Sequence, residues 1–247
     1  MKYVGSKNRI AKEILPIMLE EAKLKGLKKW VEPFVGGANM IDKVSDDFEK
    51  IGIDNNEYLI YMFNKLKEGW IPPDYISEEI WKDVKNKMDE SYEKHFISFC
   101  RLGCSFGADW NGGFARNVKK DKPNAEILNQ TTKSYCKQSK NNLLKQLPNL
   151  KNVKFIYGDY RIFDFENCLI YCDPPYEGTL SYKDAGFNYV EFWEWVRRMS
   201  LKNVVFVSEY NAPEDFECVW SGKIKTNFAS QRKGVTNNAI EKLFKLK

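Results

Sequence analysis

The first seventy residues show two hydrophobic periodicities in alternation. Residues 5–23 carry apolar side chains at helical spacing, at Ile10, Ile14, Ile17 and Met18. The segment KKWVEPFVGGANMIDKV follows with a short apolar strand, a glycine turn and a resumed helical pattern. Residues 51–53 form a second strand that ends in an acid, and a helix closed by Gly69 comes next. The order strand, turn, helix, strand, acid predicts the start of a doubly wound α/β fold.

The next strand pattern comes only at residues 152–159, much later than a single crossover between parallel strands requires. This spacing predicts an α/β domain formed by residues 1–68 and 150–247, with residues 69–149 inserted into it. Within the insertion, residues 76–99 have a helical pattern. Residues 101–124 are rich in Gly, Asn, aromatics and Arg, which is typical of a β-hairpin with a long tip.

The last third of the chain returns to alternating strands and helices. Residues 169–172 form an apolar strand, residues 190–199 a helix with aromatic side chains, and residues 203–210 another strand before the final segment NNAIEKLFKLK. The pattern completes an α/β sheet.

Composition narrows the class of protein. The 247 residues are 43% hydrophobic, and no apolar run approaches the roughly 20 residues that span a bilayer. The N-terminal sequence mixes charge throughout, unlike a signal peptide, so we expect a cytoplasmic protein without membrane contact. Six cysteines and one histidine, His95, provide neither paired zinc-ligand spacing nor a Ser-His-Asp system, and no metal site is expected.

The net charge of +5 is unevenly distributed. Residues 110–151 carry +7 and residues 221–247 carry +6, which leaves the rest of the chain at −8. Such asymmetry indicates a basic face for a polyanion such as nucleic acid. A solvated, lysine-rich surface would give the same counts, so charge alone leaves both interpretations open.

The segment VEPFVGGANM places Gly36 and Gly37 after a strand, where they would let the backbone approach a ligand and open a helix with free N–H groups. By itself it could be an ordinary tight turn. Asp54, 22 residues after Glu32, adds an acid at the end of the next strand that could bind ribose hydroxyls. Because no Walker lysine and serine follow, a nucleoside such as S-adenosyl-L-methionine fits better than a nucleotide. Lys7 could meet its carboxylate with Tyr3 packing nearby, or be an exposed lysine.

The sequence DPPY at residues 173–176 follows an apolar strand directly. Two prolines end that strand at Cys172 and form a stiff loop at its carboxyl end, where α/β sheets bind ligands. Asp173 and the Pro174 carbonyl could accept both N–H bonds of an adenine amino group and localise its lone pair. Tyr176 could stack on the base. The competing interpretation is a proline-terminated strand with an incidental acid.

A base inside a duplex must be flipped out to enter such a pocket. The insertion would hold the duplex, with Arg116 reading or clamping DNA and with Trp110 and Phe114 as wedge candidates. An ordinary loop or core role is open for each of the three.

The ordered set of motifs resembles the Dam-type (DPPY, alpha-group) adenine-specific DNA methyltransferases, nearly end to end. YVGSK is similar to that family's N-terminal cofactor motif, VEPFVGG to its glycine motif, GIDNN to its ribose-binding acid, YGDY to its adenine-contacting segment and IYCDPPY to its catalytic loop. NGGFARN is loosely similar to part of the recognition hairpin. CSFGADW before it departs from the best-known members, so their GATC specificity does not transfer.

The resemblance implies a Rossmann-like methyltransferase sheet with a mostly helical and β-hairpin target-recognition insertion. It implies catalysis by Asp173, Pro174 and Tyr176, and S-adenosyl-L-methionine binding by Tyr3, Lys7, Glu32, Phe34, Gly36, Asp54, Asp159, Tyr160 and Asp173. It implies nucleic-acid contacts by Trp110, Asn111, Phe114, Arg116, Lys119, Lys120 and Phe187.

The expected function is therefore N6 methylation of a flipped-out adenine in double-stranded DNA, by a monomer that could have a cognate restriction endonuclease or come from a phage. An RNA adenine methyltransferase is the main alternative, although the ribosomal enzymes usually lack so large an insertion. A protein glutamine methyltransferase would more naturally have Asn in place of Asp173. A non-catalytic nucleic-acid-binding module would be free to lose the intact DPPY.

Overall fold

The computed structural model describes residues 1–87, 91–119, 121–130, 134–177, 186–225 and 238–247. Seven strands form one sheet: β1 (Lys29–Glu32), β2 (Glu49–Asp54), β3 (Val153–Tyr157), β4 (Leu169–Cys172), β5 (Val204–Glu209), β6 (Phe216–Lys225) and β7 (Asn238–Leu246). The helices are α1 (Ala11–Leu24), α2 (Glu57–Lys67), α3 (Glu78–Lys87), α4 (Lys94–Ser98), α5 (Ala125–Asn129), α6 (Tyr135–Leu150) and α7 (Tyr189–Ser200). Among the described residues, no helix is both long and apolar enough to cross a membrane.

The strand order is β3-β2-β1-β4-β5-β7-β6. Strands β1 to β5 are parallel, whereas β7 runs antiparallel between β5 and β6. The chain moves outwards from β1 to β3 and then returns to the other side of β1 with β4. A doubly wound sheet has its ligand crevice at such a reversal, outside the carboxyl ends of the strands. The predicted fold class is confirmed, and the crevice lies between β1 and β4.

Hydrophobic side chains pack on both faces of the sheet. On one face, α1 and α2 contribute residues such as Ile14, Met18 and Phe63, and the Phe63 ring stacks on Phe155 of β3 with centroids 4.6 Å apart. On the other face, α7 contributes Phe192 and Trp195. Helix α7 begins at an Asn188 cap, whose side chain accepts a hydrogen bond from the Glu191 N–H.

The inserted residues share the first of these cores. Trp81, Ile97, Phe99 and Leu143 belong to the same buried cluster as Ile14 of α1. The predicted hairpin closes through one bridge, between Ser105 and Phe114. The 16-residue helix α6 was not predicted, because few of its positions are apolar. Ser134, whose side chain accepts a hydrogen bond from the Lys137 N–H, caps its start. The predicted division into residues 1–68 with 150–247 and residues 69–149 stays a prediction.

The helix predicted after the glycine turn is wrong. Only a single turn, Ile41–Lys43, follows the glycines before β2. Ala38 has a left-handed backbone with φ 54°, which a continuous helix excludes. Met40, Ile41 and Val44 produced the helical spacing because all three are buried in the core. The glycine turn therefore offers a ligand its loop backbone and not the N-terminus of a long helix.

Candidate active site

Ionisable side chains collect where the sheet reverses direction. Glu32 ends β1, Asp54 ends β2, Asp173 follows β4 and Glu209 ends β5. These strands are parallel, so their last residues meet at one edge. Glu241 arrives from the opposite chain direction, near the start of antiparallel β7.

Lys7 joins the N-terminal motif to the DPPY loop. It begins a short turn that Ser6 caps, and its side chain is only 5% exposed. Its Nζ lies 2.8 Å from Asp173 Oδ1, 2.9 Å from the Gly5 carbonyl and 3.8 Å from Glu241 Oε1. The interpretation of Lys7 as an exposed lysine is therefore wrong, because the ammonium is buried between two carboxylates.

The DPPY loop is packed from both sides. Pro174 and Tyr176 are buried. The Tyr176 hydroxyl donates to Glu241 Oε2 over 2.5 Å. Lys7 Nζ lies 4.6 Å from the centroid of the Tyr176 ring, and the Tyr210 ring meets it edge-on at 4.7 Å. These contacts fix the position of the loop.

The charge balance of the site sets the protonation of Asp173. Burial raises the pKa of Asp173 to about 6; Lys7 opposes this rise, and the negative charge of Glu241 adds to it. Burial disfavours the Lys7 ammonium, but the carboxylates of Asp173 and Glu241 outweigh that effect and raise its pKa. Asp173 is therefore ionised at neutral pH but holds its proton more tightly than an exposed aspartate.

Asp54 ties the glycine loop to the end of β2. Its carboxylate accepts hydrogen bonds from the Gly36 N–H and the Asn56 N–H, both over 2.9 Å, and burial raises its pKa. A Cβ on Gly36 would lie 2.8 Å from the Tyr3 ring, and one on Gly37 would lie 2.6 Å from Tyr3 Cβ. The glycines are thus required because Tyr3 packs directly on this loop.

Glu32 is held by the strand that carries it. Trp30 Nε1 donates to its carboxylate over 2.8 Å, both side chains are buried, and burial raises the Glu32 pKa well above its usual range. Its position at the end of β1, beside the crevice, is the one that the sequence predicted.

The aromatic candidates form one cluster beside the glycine loop. Phe34 lies 5.1 Å from Tyr160 and 6.0 Å from Phe187, measured between ring centroids. Phe187, predicted to contact nucleic acid, is thereby grouped with the predicted cofactor residues. The Asp159 carboxylate accepts hydrogen bonds from Arg161, which lower its pKa, so it caps the short turn that presents Tyr160.

These residues fit S-adenosyl-L-methionine in chemical type. A buried carboxylate, Asp54, ends β2, where a ribose would be bound. An aromatic cluster suits an adenine ring, and an ammonium, Lys7, suits a carboxylate. Within the described part of the chain, no group of three His, Cys, Asp or Glu side chains could hold a metal ion.

Apart from Phe187, the predicted DNA-binding residues lie in the predicted insertion, and those that the structure describes have three different environments. Arg116 makes a two-point ion pair with Glu78 of α3, and its hydrogen bonds help lower the pKa of Glu78 to about 2. Trp110 and Phe114 are half-buried, with ring centroids 5.3 Å from Tyr58 and 6.0 Å from Trp81 respectively. Asn111 and Lys119 are exposed, and Lys120 lies outside the described residues.

Three further residues were missed by sequence reasoning. Phe106 is 69% exposed at the hairpin turn. The sequence signal for a turn at this position was the adjacent Gly107, whose φ is 74° in the structure. Gln146 of α6 is buried and donates through Nε2 to the Gly37 and Ala38 carbonyls, over 3.2 and 2.9 Å, and to Asp42. Glu241 is the third. Neither Gln146 nor Glu241 has a local sequence signal, because each acts across more than 60 residues of chain.

A comparison with known protein families matches residues 3–127 to the D12 class N6 adenine-specific DNA methyltransferases. The chain belongs to this family. The matched residues contain Lys7, the glycine loop, Asp54 and the predicted recognition hairpin, and the resemblance to Dam-type enzymes seen in the sequence is confirmed.

Individual relatives of this D12 family member are distant. It is 24% identical over 235 residues to the type II methyltransferase M.FokI of Planomicrobium okeanokoites, covering 86% of this chain and 34% of that protein. It is 27% identical to M.MjaIII of Methanocaldococcus jannaschii (72% and 68% covered) and 25% identical to the DNA adenine methylase of Vibrio cholerae (71% and 64% covered). The chain thus spans about a third of the length of the FokI relative.

Proposed function

We propose that this D12 family member transfers a methyl group from S-adenosyl-L-methionine to the N6 amino group of adenine in double-stranded DNA. The observation that carries the proposal is the DPPY loop at the sheet's reversal point, with Asp173 ionised against a buried Lys7 at 2.8 Å. Family membership supplies the reaction class, and the loop supplies groups that suit it.

Asp173 and Pro174 would act on the amino group of the base. An adenine amino nitrogen is a weak nucleophile because its lone pair is delocalised into the ring. A carboxylate and a fixed backbone carbonyl that accept its two N–H bonds favour the tetrahedral geometry in which the lone pair is localised. The raised pKa of Asp173, about 6, makes it a better acceptor than an ordinary aspartate and suits it to take the proton that the amino group releases.

The cofactor would supply an electrophilic methyl group when bound. Asp54 would bind the ribose, and the cluster of Phe34 and Tyr160 would pack on the adenine. Lys7 pairs with Asp173 at 2.8 Å, so it would attract the cofactor carboxylate only while it also holds Asp173. Tyr3 would support the glycine loop, because its side chain packs directly on Gly36 and Gly37. These roles depend on positioning, which carries most of the catalysis in methyl transfer.

The insertion would hold the duplex. Extruding a base costs a few kcal/mol, which contacts to phosphates and a side chain in the vacated stack must offset. Arg116, Asn111 and Lys119 would contact DNA from the hairpin side. Phe106, exposed at the turn, is better placed than the packed Trp110 and Phe114 to enter the stack.

We also propose that the protein works as a monomer in the cytoplasm, because one cofactor and one flipped base complete the site. A cognate restriction endonuclease is the candidate partner, since two of the relatives carry the name of type II methyltransferases.

The test is transfer of labelled methyl from S-adenosyl-L-methionine to unmethylated genomic DNA, to RNA and to protein, with nucleoside analysis of the products. N6-methyladenine in DNA is expected, together with its loss in Asp173→Ala. Label only in RNA or in protein would refute DNA as the substrate. Turnover retained by Asp173→Ala would refute the role of the loop.

A matched pair of variants tests the DNA face. Arg116→Ala removes a cation, whereas Glu78→Gln removes the acid that pairs with it. Binding to a duplex, followed against salt concentration, should weaken and show a flatter salt slope in Arg116→Ala, and should not weaken in Glu78→Gln. An unchanged slope in Arg116→Ala would place the DNA face elsewhere.

A further inference from the structure

Strand β7 brings a buried acid to the catalytic loop from the far end of the chain. Because β7 runs antiparallel to β5, pairing Lys242 with Glu209 and Leu243 with Ser208, its first residues lie at the carboxyl edge of the parallel strands. Glu241 lies at that edge and is 5% exposed. No motif in the sequence marks it, and it lies more than a hundred residues after the end of the family match.

Glu241 binds the loop through two partners. One carboxylate oxygen, Oε2, accepts the Tyr176 hydroxyl over 2.5 Å, and the other, Oε1, lies 3.8 Å from Lys7 Nζ. Lys7 in turn contacts Asp173 at 2.8 Å. The ammonium of Lys7 is therefore shared by two carboxylates, those of Asp173 and Glu241.

We propose that Glu241 is a positioning residue for methyl transfer, which fixes the Tyr176 phenol and, through its charge beside Lys7, keeps Asp173 a strong proton and hydrogen-bond acceptor. The proposal rests on the proposed function. It assigns Glu241 no contact with the base or with the cofactor.

Stability alone does not account for an acid at this position. A buried carboxylate loses its hydration, and buried ion pairs are often no more stabilising than well-packed apolar side chains. Here the second carboxylate also repels the first, since Lys7 provides one positive charge for both. Such an arrangement is typical of functional sites, where burial and neighbouring charges shift the pKa of a reactive group from its ordinary value.

Several other groups face Asp173 and belong to the same electrostatic balance. Lys7 comes from the N-terminal turn, Glu32 from β1, Glu209 from β5 and Glu241 from β7. Tyr171 and Cys172 come from β4, Tyr176 from the loop and Tyr210 from the end of β5. Glu241→Gln removes one negative charge from this set while its amide oxygen can still accept the Tyr176 hydroxyl.

The test compares Glu241→Gln with Glu217→Gln, an exposed acid on neighbouring β6. In cofactor-free protein, carbon-13 NMR of the Asp173 carboxyl gives its titration midpoint. We expect this midpoint to fall by at least half a pH unit in Glu241→Gln and to stay unchanged in Glu217→Gln. The acid limb of the pH profile of kcat/KM for DNA methylation, which reports the free enzyme, should move down by the same amount.

An Asp173 midpoint that is unchanged in Glu241→Gln would overturn the proposal. If that variant does not fold, Tyr176→Phe tests the same contact: kcat should fall about tenfold while the KM for cofactor stays within twofold, and an unchanged kcat would count against Glu241. A wild-type protein that methylates no DNA overturns the proposed function instead, and the NMR midpoint still decides the electrostatic effect of Glu241.

Discussion

Replacing Asp173 with Asn should lower the methylation activity and, as the pH rises, increase the unfolding free energy relative to the wild type. The side chain is 22% exposed, and its carboxyl has a pKa of about 6 in the folded protein against an ordinary value of 3.8. An acid with a raised folded-state pKa stabilises the fold at low pH, and that contribution is lost as pH rises through about 6. Asn does not titrate, so residue 173 of the variant causes no loss of stability as the pH rises.

The magnitude follows from the two pKa values. Between pH 5 and pH 8, the wild type should lose about 1.4 kcal/mol of unfolding free energy through Asp173 alone, since each pKa unit corresponds to about 1.36 kcal/mol. Titrating groups that do not sense Asp173 contribute to both proteins and cancel in the difference. The pKa of Glu209, about 7, is raised in part by the charge of Asp173, so it should fall in Asp173→Asn and change the difference in the same direction. Lys7 keeps Glu241 as a partner at 3.8 Å.

The assay is urea unfolding of both proteins at pH 5 and pH 8. On moving from pH 5 to pH 8, Asp173→Asn should gain about 1.4 kcal/mol relative to the wild type. Its kcat for methylation should meanwhile fall about 10²- to 10⁴-fold, the usual contribution of a positioned base. A stability difference that does not change with pH, or that changes in the opposite direction, would refute the raised pKa of Asp173.

Three further predictions test other parts of the molecule. Gln146→Leu removes the donor that holds the Gly37 and Ala38 carbonyls, so cofactor binding measured by calorimetry should weaken, and undiminished affinity would contradict that role. Phe106→Ala should reduce base flipping, followed by fluorescence of 2-aminopurine at the target, and should leave cofactor affinity unchanged; equal fluorescence in both proteins would exclude it as the wedge. Phe63→Ala opens a cavity beside Phe155 and should cost about 3–5 kcal/mol in urea unfolding, whereas a cost below 1 kcal/mol would mean that the core collapses around it.

Local patterns in the sequence were enough to predict the parallel part of the fold. Strand periodicity, the acid after β2 and the prolines after β4 are each encoded within a few residues, and together they predicted a doubly wound fold. They placed Asp54 and Asp173 at one edge of the sheet, where the structure has them. The apolar spacing of Met40, Ile41 and Val44 wrongly predicted a helix. These residues lie in a buried loop with one helical turn, which gives the same apolar spacing as a helix.

The tertiary structure decided which side chains meet. Arg116 pairs with Glu78 across 38 residues, Gln146 reaches the glycine loop across more than 100, and Glu241 reaches Tyr176 across 65. None of these contacts leaves a periodic signal, because each depends on how separate elements pack and not on the conformation of either one. The sequence determined that an acid follows β4; the antiparallel return of β7 and the buried Lys7 decided which charges surround that acid and therefore its pKa.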